Sequence, residues 1–166
     1  MNRRTSILTG LSAATTLGAL SSSAEDKDTQ PANPNLEKIR AVLKAHDDAM
    51  TNHNIEGVLA SLSPKAVIMG TGPGEIWSGP EEIKDAYSHF FADFDKGEQQ
   101  FTYHVRMGEL SAEMGWLFTS GEVRGKKGGK EYAFPLNVSV TVSKATGDWK
   151  IAALHFSTLT ADAAAK

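Results

Sequence analysis

The chain has 166 residues, which suits one domain and is short for two. Hydrophobic residues at 40% and charged residues at 22% are enough to bury a core, which argues against disorder through the bulk of the chain. A net charge of −3 offers no basic footprint for nucleic acid or an anionic membrane, and the absence of cysteine excludes disulfides, thiolate nucleophiles and cysteine-held metals.

The first 24 residues differ in kind from the rest. Arg3 and Arg4 form a positive start, Ile7 to Leu20 is a mildly apolar run broken by Gly10 and Gly18, and Ser22-Ser23-Ala24 supplies the small residues that a signal peptidase reads. Residues 1–24 are therefore expected to be an export signal, too short for a stable membrane span, on a periplasmic or secreted protein. The adjacent arginines resemble a twin-arginine signal, although Ser6 stands where that pathway usually has a bulky apolar residue; general secretion is the alternative. Residues 25–35, charged and polar with two prolines, read as a linker, and residues 161–166 as a tail.

Asn33-Pro34 is a helix start: a capping side chain, then proline in the first turn. Leu36, Ile39, Leu43, His46 and Met50 recur at helical spacing, and the helix is expected to end near His53-Asn54. Asn54 can cap a short second helix carrying Val58, Leu59 and Leu62, which Pro64 ends. Ala66 to Met69 is a short strand, followed by a glycine-rich loop at Gly70 to Gly74. Gly79-Pro80-Glu81-Glu82 starts a third helix, with Ile83, Tyr87, Phe90, Phe91 and Phe94 along it. From there the period is two. Phe101, Tyr103, Val105 and Met107 alternate with Gln100, Thr102, His104 and Arg106. Residues 114–124, then Tyr132 to Val142, then Trp149 to Thr158 give three more strands, with a turn at Gly125 to Gly129. Three helices and then four successive strands make an α+β domain, an antiparallel meander with helices on one face.

For the last hairpin, placing Ser143 opposite Trp149 sets Val140 against Ala152, Val138 against Leu154, Asn137 against His155 and Ser139 against Ala153. A one-residue slip would set polar residues against apolar ones throughout. His155, Asn137, Ser139 and Ser157 then share one surface.

The two-helix opening, the run Trp77-Ser78-Gly79-Pro80-Glu81, and the ending Trp149-Lys150-Ile151 with His155-Phe156-Ser157 resemble the SnoaL-like branch of the nuclear transport factor 2-like superfamily. The ending is also similar to the calcium/calmodulin-dependent protein kinase II association domain. The resemblance spans residues 36–160 and implies a cone: a strongly bent antiparallel sheet wrapped by three N-terminal helices, with a ligand cavity at the wide end. It also implies pairing of two subunits through the sheet. The kinase domain's pocket arginine has no counterpart here, where Ser139 or Val140 stands, and Lys65 replaces an acid that many relatives carry. Fold of this kind says little about chemistry.

Among side chains that could act, His155 beside Ser157 and Asn137 could accept a proton or orient a ligand, or be a structural histidine at a sheet face. Glu122 shares a strand face with Trp116, Phe118 and Ser120 and could be a general acid or base, or pair with Arg124. Asp47 lies near the inward side of the first helix, or is simply solvated. These three are the candidate catalytic residues; Tyr103, Trp116, Phe118, Asn137, Ser157 and Trp77 are candidate ligand-binding residues. The five histidines lack metal-ligand spacing, so neither metal nor cofactor is expected. Gly70 to Gly74 does not open into a helix and reads as a turn, and Arg124 to Lys130 as a solvated basic hairpin tip. The expectation is an exported domain that binds a small apolar or amphipathic molecule and forms a homodimer. The alternatives are a cofactor-free acid–base enzyme (isomerase, dehydratase or cyclase type) and a homo-oligomeric interaction module.

Overall fold

A computed structural model describes residues 33–158. The expected signal, most of the expected linker and the tail lie outside those residues. Helix α1 spans Pro34–Thr51, α2 Ile55–Ser61 and α3 Gly79–Asp93; the strands are β1 Leu62–Met69, β2 Ile76–Ser78, β3 Gln100–Leu110, β4 Met114–Lys127, β5 Lys130–Ser143 and β6 Lys150–Ser157.

Local chemistry sets the helix ends. The Asn33 side chain accepts from Asn35 N at 3.0 Å, and Pro34 follows in the first turn. His53, with φ of 51°, turns the chain out of α1, and Asn54 then caps α2 by accepting from Gly57 N at 3.1 Å. Helix α3 begins at Gly79, whose φ of 72° suits glycine, and Pro80. No helix among the described residues is long and apolar enough to cross a membrane.

The six strands form one open sheet in the order β2-β1-β6-β5-β4-β3. Here the structure corrects the expectation of a wholly antiparallel sheet. The meander β3 to β6 is antiparallel, but β6 returns beside β1 and runs parallel to it, so the sheet is mixed. Parallel neighbours need a long crossover, and the chain from α3 through the meander supplies one. The short edge strand β2, which pairs with β1, was not legible in the sequence.

The helices cover one sheet face, the inner one. Ile39 and Ala49 of α1, Val58 of α2 and Ile83 and Tyr87 of α3 pack with Ile68, Val140, Val142, Ile151 and Leu154. Val58, Ile83 and Ile151 are almost wholly buried, each worth about 1.5–3 kcal/mol relative to exposure. Trp149 is also buried, and its Nε1 donates to Asn35 Oδ1 at 3.2 Å, tying the start of α1 to the start of β6.

That anchor shifts the last hairpin. Ser143 pairs with Lys150 rather than Trp149, Val142 with Ile151, and Thr141 with Ala153, so Ala152 is an extra residue. Beyond this bulge Ser139 faces His155 and Asn137 faces Ser157. The net displacement from the expected register is two residues, which preserves the faces, as a period of two requires. At the other end of β5 the turn is tighter than expected: Lys127 pairs with Lys130 around Gly128-Gly129, both at positive φ, and Gly125 lies within β4 opposite Tyr132.

A second bulge divides β3. Tyr103 pairs with Gly121 and Val105 with Ser120, leaving His104 extra. Strict alternation would place Phe101, Tyr103, Val105 and Met107 on one face. The bulge instead leaves Phe101 and Tyr103 on the inner face and sends Val105 and Met107 to the outer face.

Candidate functional site

The candidate site residues divide between the two faces. Cross-strand pairing builds one row over the outer face: Ile76, Met69, His155, Ser139, Phe118 and Met107. Trp116 lies in the adjoining row with Thr141, and Asn137 in the next with Ser157 and Ser120. Asn137 Nδ2 donates to Ser157 Oγ at a long 3.4 Å. Val105, Met107, Phe118, Ser120, Asn137 and Ser139 line a shallow hollow of about 210 Å³ there. His155, Trp116, Phe118, Asn137 and Ser157 are thus brought together, on the face away from the helices. Glu122 is also on this face, half-buried, and accepts from Arg124 Nε at 2.5 Å, so it sits in a local ion pair.

Tyr103 and Asp47 lie elsewhere. Tyr103, Trp116 and Phe118, all candidate ligand-binding residues, do not share one face, because the β3 bulge keeps Tyr103 on the inner face while Trp116 and Phe118 lie on the outer. Trp77 is inner as well, paired with Ile68 and packed on the core, but it stands in the edge strand β2 while Tyr103 stands in the opposite edge strand β3. Five strand spacings separate them, roughly 24 Å.

The side of the sheet that bears Tyr103 also carries linked polar groups of α1 and α3. His46 of α1 is 4% exposed; its Nε2 is hydrogen-bonded to Tyr87 Oη of α3 at 2.8 Å, and its Nδ1 lies 3.3 Å from Asp47 Oδ1. A carboxylate only accepts, so Nδ1 carries the proton, and in the neutral ring Nε2 accepts from the Tyr87 hydroxyl. Burial first, and the Asp47 charge second, hold the Tyr87 phenol well above its usual range. Tyr103 is pushed up for the same two reasons, burial and then Asp47, with Arg106 partly offsetting them. Asp47 therefore acts on phenols from both α3 and β3. Tyr103 is 39% exposed, and it packs on Phe101 with ring centroids 4.5 Å apart.

An aromatic line runs on from this corner. Tyr87 meets Phe91 (5.8 Å), Phe91 meets Phe90 (6.2 Å), Phe90 meets Phe94 (4.6 Å), Phe94 meets Tyr132 (5.0 Å) and Tyr132 meets Phe134 (5.6 Å). His53 stacks on Phe91 at 4.6 Å and 7°. These rings fill the space between the end of α3 and the inner face of β5. Sequence reasoning missed His46 and Arg106 as site groups: His46 falls on the apolar stripe of its helix and reads as core.

The chain matches the SnoaL-like domain family over residues 39–161 and belongs to that family. Several solved structures share its fold. A ketosteroid isomerase-like protein from Erwinia carotovora atroseptica superposes with a TM-score of 0.63 at 22% identity, covering 77% of this chain and 98% of its own. A nuclear transport factor 2-like family protein from Streptomyces avermitilis, provisionally named a dehydratase, gives 0.63 at 15% identity over 76% and 98%. A protein from Xanthomonas campestris, provisionally named a calcium/calmodulin dependent protein kinase II association domain, gives 0.65 at 19% over 82% and 96%. No curated protein matches the sequence. The chain thus shares its fold with these nuclear transport factor 2-like structures, and likeness at these identities extends to the fold alone.

Proposed function

We propose that the protein is an exported domain that binds a small amphipathic molecule where α1, α3 and β3 meet on the inner sheet face. One observation carries this reading: Tyr103 is partly exposed on the inner face beside Phe101 and, unlike Tyr87, makes no side-chain hydrogen bond among the described residues. A neutral phenol there donates to a ligand oxygen while Phe101 and the ring itself offer apolar surface. The neutral dye N-phenyl-1-naphthylamine serves as a probe. Tyr103→Ala should weaken it about tenfold, the equivalent of ~1.4 kcal/mol for a lost aromatic contact. If Phe118→Ser abolishes binding and Tyr103→Ala does not, the ligand site is the outer hollow instead. Export rests on Arg3-Arg4 and Ser22-Ser23-Ala24; a native protein whose first residue is Met1 would refute it.

A second reading, an acid–base enzyme without cofactor, draws support from the hydrogen-bonded line Asp47–His46–Tyr87. His46 and Tyr87 are buried, so they would position Asp47 while Asp47 and Tyr103 meet the substrate. Relatives named isomerase-like and dehydratase fit such chemistry. Asp47→Asn separates the readings: it should abolish turnover of any substrate found while leaving its affinity nearly intact.

The outer face supports the proposed homodimer. Val67, Met69, Ile76, Val105, Met107, Met114, Trp116 and Phe118 are all 39% to 62% exposed and all lie on it. They form two apolar groups that flank His155 and Ser139, and so many large apolar side chains exposed on one face are unusual on a monomer. Light scattering should give twice the chain mass, and a monomer mass at high concentration refutes the pairing.

A further inference from the structure

The bulge at His104 also decides where Arg106 goes. In an unbroken strand, residues three apart lie on opposite faces. The extra residue instead brings Arg106, paired with the buried inner residue Thr119, onto the face of Tyr103. Its guanidinium carbon stands 3.5 Å from the Tyr103 ring centroid. The other two arginines among the described residues are neutralised locally, Arg40 by Glu37 at 2.6 Å and Arg124 by Glu122 at 2.5 Å. Arg106 has neither an ion pair nor a side-chain hydrogen bond among the described residues. A guanidinium stacked by its face is fixed in place, yet its N–H donors lie in its own plane and stay free. They form the fork that fits a two-oxygen anion.

We propose that Arg106 makes this corner selective for a ligand with an anionic oxygen head, such as a carboxylate or sulfonate, on a flat apolar body. The inference rests on the α1/α3/β3 corner being the ligand site. Tyr103 donates its hydroxyl to the same head, since burial and Asp47 keep the phenol protonated. The Asp47 charge, which Tyr103 also feels, opposes the anion and favours a hydrogen-bond donor adjacent to the head. The corner is therefore dipolar, and its two charges have opposite and separately testable effects.

Two dyes with one ring system separate the charge from the body: 1-anilinonaphthalene-8-sulfonate, an anion, and neutral N-phenyl-1-naphthylamine. Both are titrated by fluorescence into the full chain at low ionic strength, where screening is least. Arg106→Gln should weaken the sulfonate dye about tenfold, as expected for one charge-assisted contact, and change the neutral dye less than about twofold. Asp47→Asn should tighten the sulfonate dye by roughly two- to fivefold through lost repulsion. If Arg106→Gln changes neither dye, or both equally, the selectivity claim fails while the corner stands. If Tyr103→Ala leaves both dyes unchanged and Phe118→Ser weakens both, the corner itself is wrong and the inference falls with it.

Discussion

Replacing Tyr87 with Phe removes one oxygen atom and leaves everything else about the ring in place. The T-shaped contact with Phe91 at 5.8 Å and the edge contact with His46 at 6.0 Å depend on the ring and persist. What is lost is the donor to His46 Nε2, at 2.8 Å, in a site where His46 is only 4% exposed. Water cannot take the place of the hydroxyl without opening the core. The cost is then that of a buried polar atom left unpaired, about 1–3 kcal/mol, rather than the smaller net worth of a solvent-exchangeable hydrogen bond. For a domain of this size that lowers Tm by roughly 3–15 °C. Thermal unfolding by circular dichroism reads it, with a urea series to check that m is unchanged. The double variant His46→Leu with Tyr87→Phe removes both partners and should lose less than the sum of the singles, by about 1 kcal/mol. A Tyr87→Phe protein that melts within about one degree of the parent, far inside the expected shift, would refute the argument. His46 Nε2 would then have another partner, and Asp47–His46–Tyr87 would not be a line at all.

The Asp95 carboxylate accepts from Gly128 N at 2.9 Å and Gly129 N at 2.7 Å, and Asp95 N donates to Lys126 O at 2.9 Å. Asp95→Ala should cost about 2 kcal/mol, two charge-assisted bonds discounted for exposure, and Asp95→Asn, which keeps one acceptor, about half of that; chemical denaturation measures both, and equal losses would contradict the clamp. His53 is held below its ordinary value of 6.5, by burial first and Lys96 second, with Asp95 opposing. A lowered folded pKa means that the unfolded chain takes up the proton first. Stability should therefore be complete above about pH 6.5, decline as pH falls below it, and level off below the folded pKa. Asn tolerates the φ of 51°, so His53→Asn should flatten that decline in a Tm series from pH 7.5 to 5.5, and an unchanged slope would assign it to another group.

Much of the architecture was legible because the signals are local. Asn33-Pro34, Asn54 and Gly79-Pro80 mark helix starts by chemistry that needs no partner. The faces of β4 and β5 follow from an unbroken period of two. Where the structure departs from the sequence reading, the cause is a distant contact. Trp149 enters the core and bonds to Asn35, more than a hundred residues earlier, and this draws β6 two residues along β5. The basic run Arg124 to Lys130 reads as a free turn, yet Asp95, from another segment, fixes its tip. The β3 bulge did leave a trace: Gly121 is a lone glycine within a strand, and a Cβ there would lie 2.1 Å from Thr102 O. Such a glycine signals a close backbone approach. The alternation of Phe101, Tyr103, Val105 and Met107 is so regular that it masks the signal.

That single inserted residue separates two kinds of aromatic surface. Trp116 and Phe118 belong to β4, whose alternation is intact, so their face is fixed by Leu117 and Thr119 pointing toward the helices. Without the bulge, Val105 and Met107 would share the face of Tyr103 and turn inward, and Arg106 would turn out to solvent with His104. The outer face would lose two of its exposed apolar side chains, and the corner near Asp47 would lose its cation. The same insertion thus enlarges the surface proposed for pairing and charges the site proposed for the ligand. The proposed assembly and the proposed recognition both depend on one register choice between β3 and β4, made where Gly121 lets the two backbones approach.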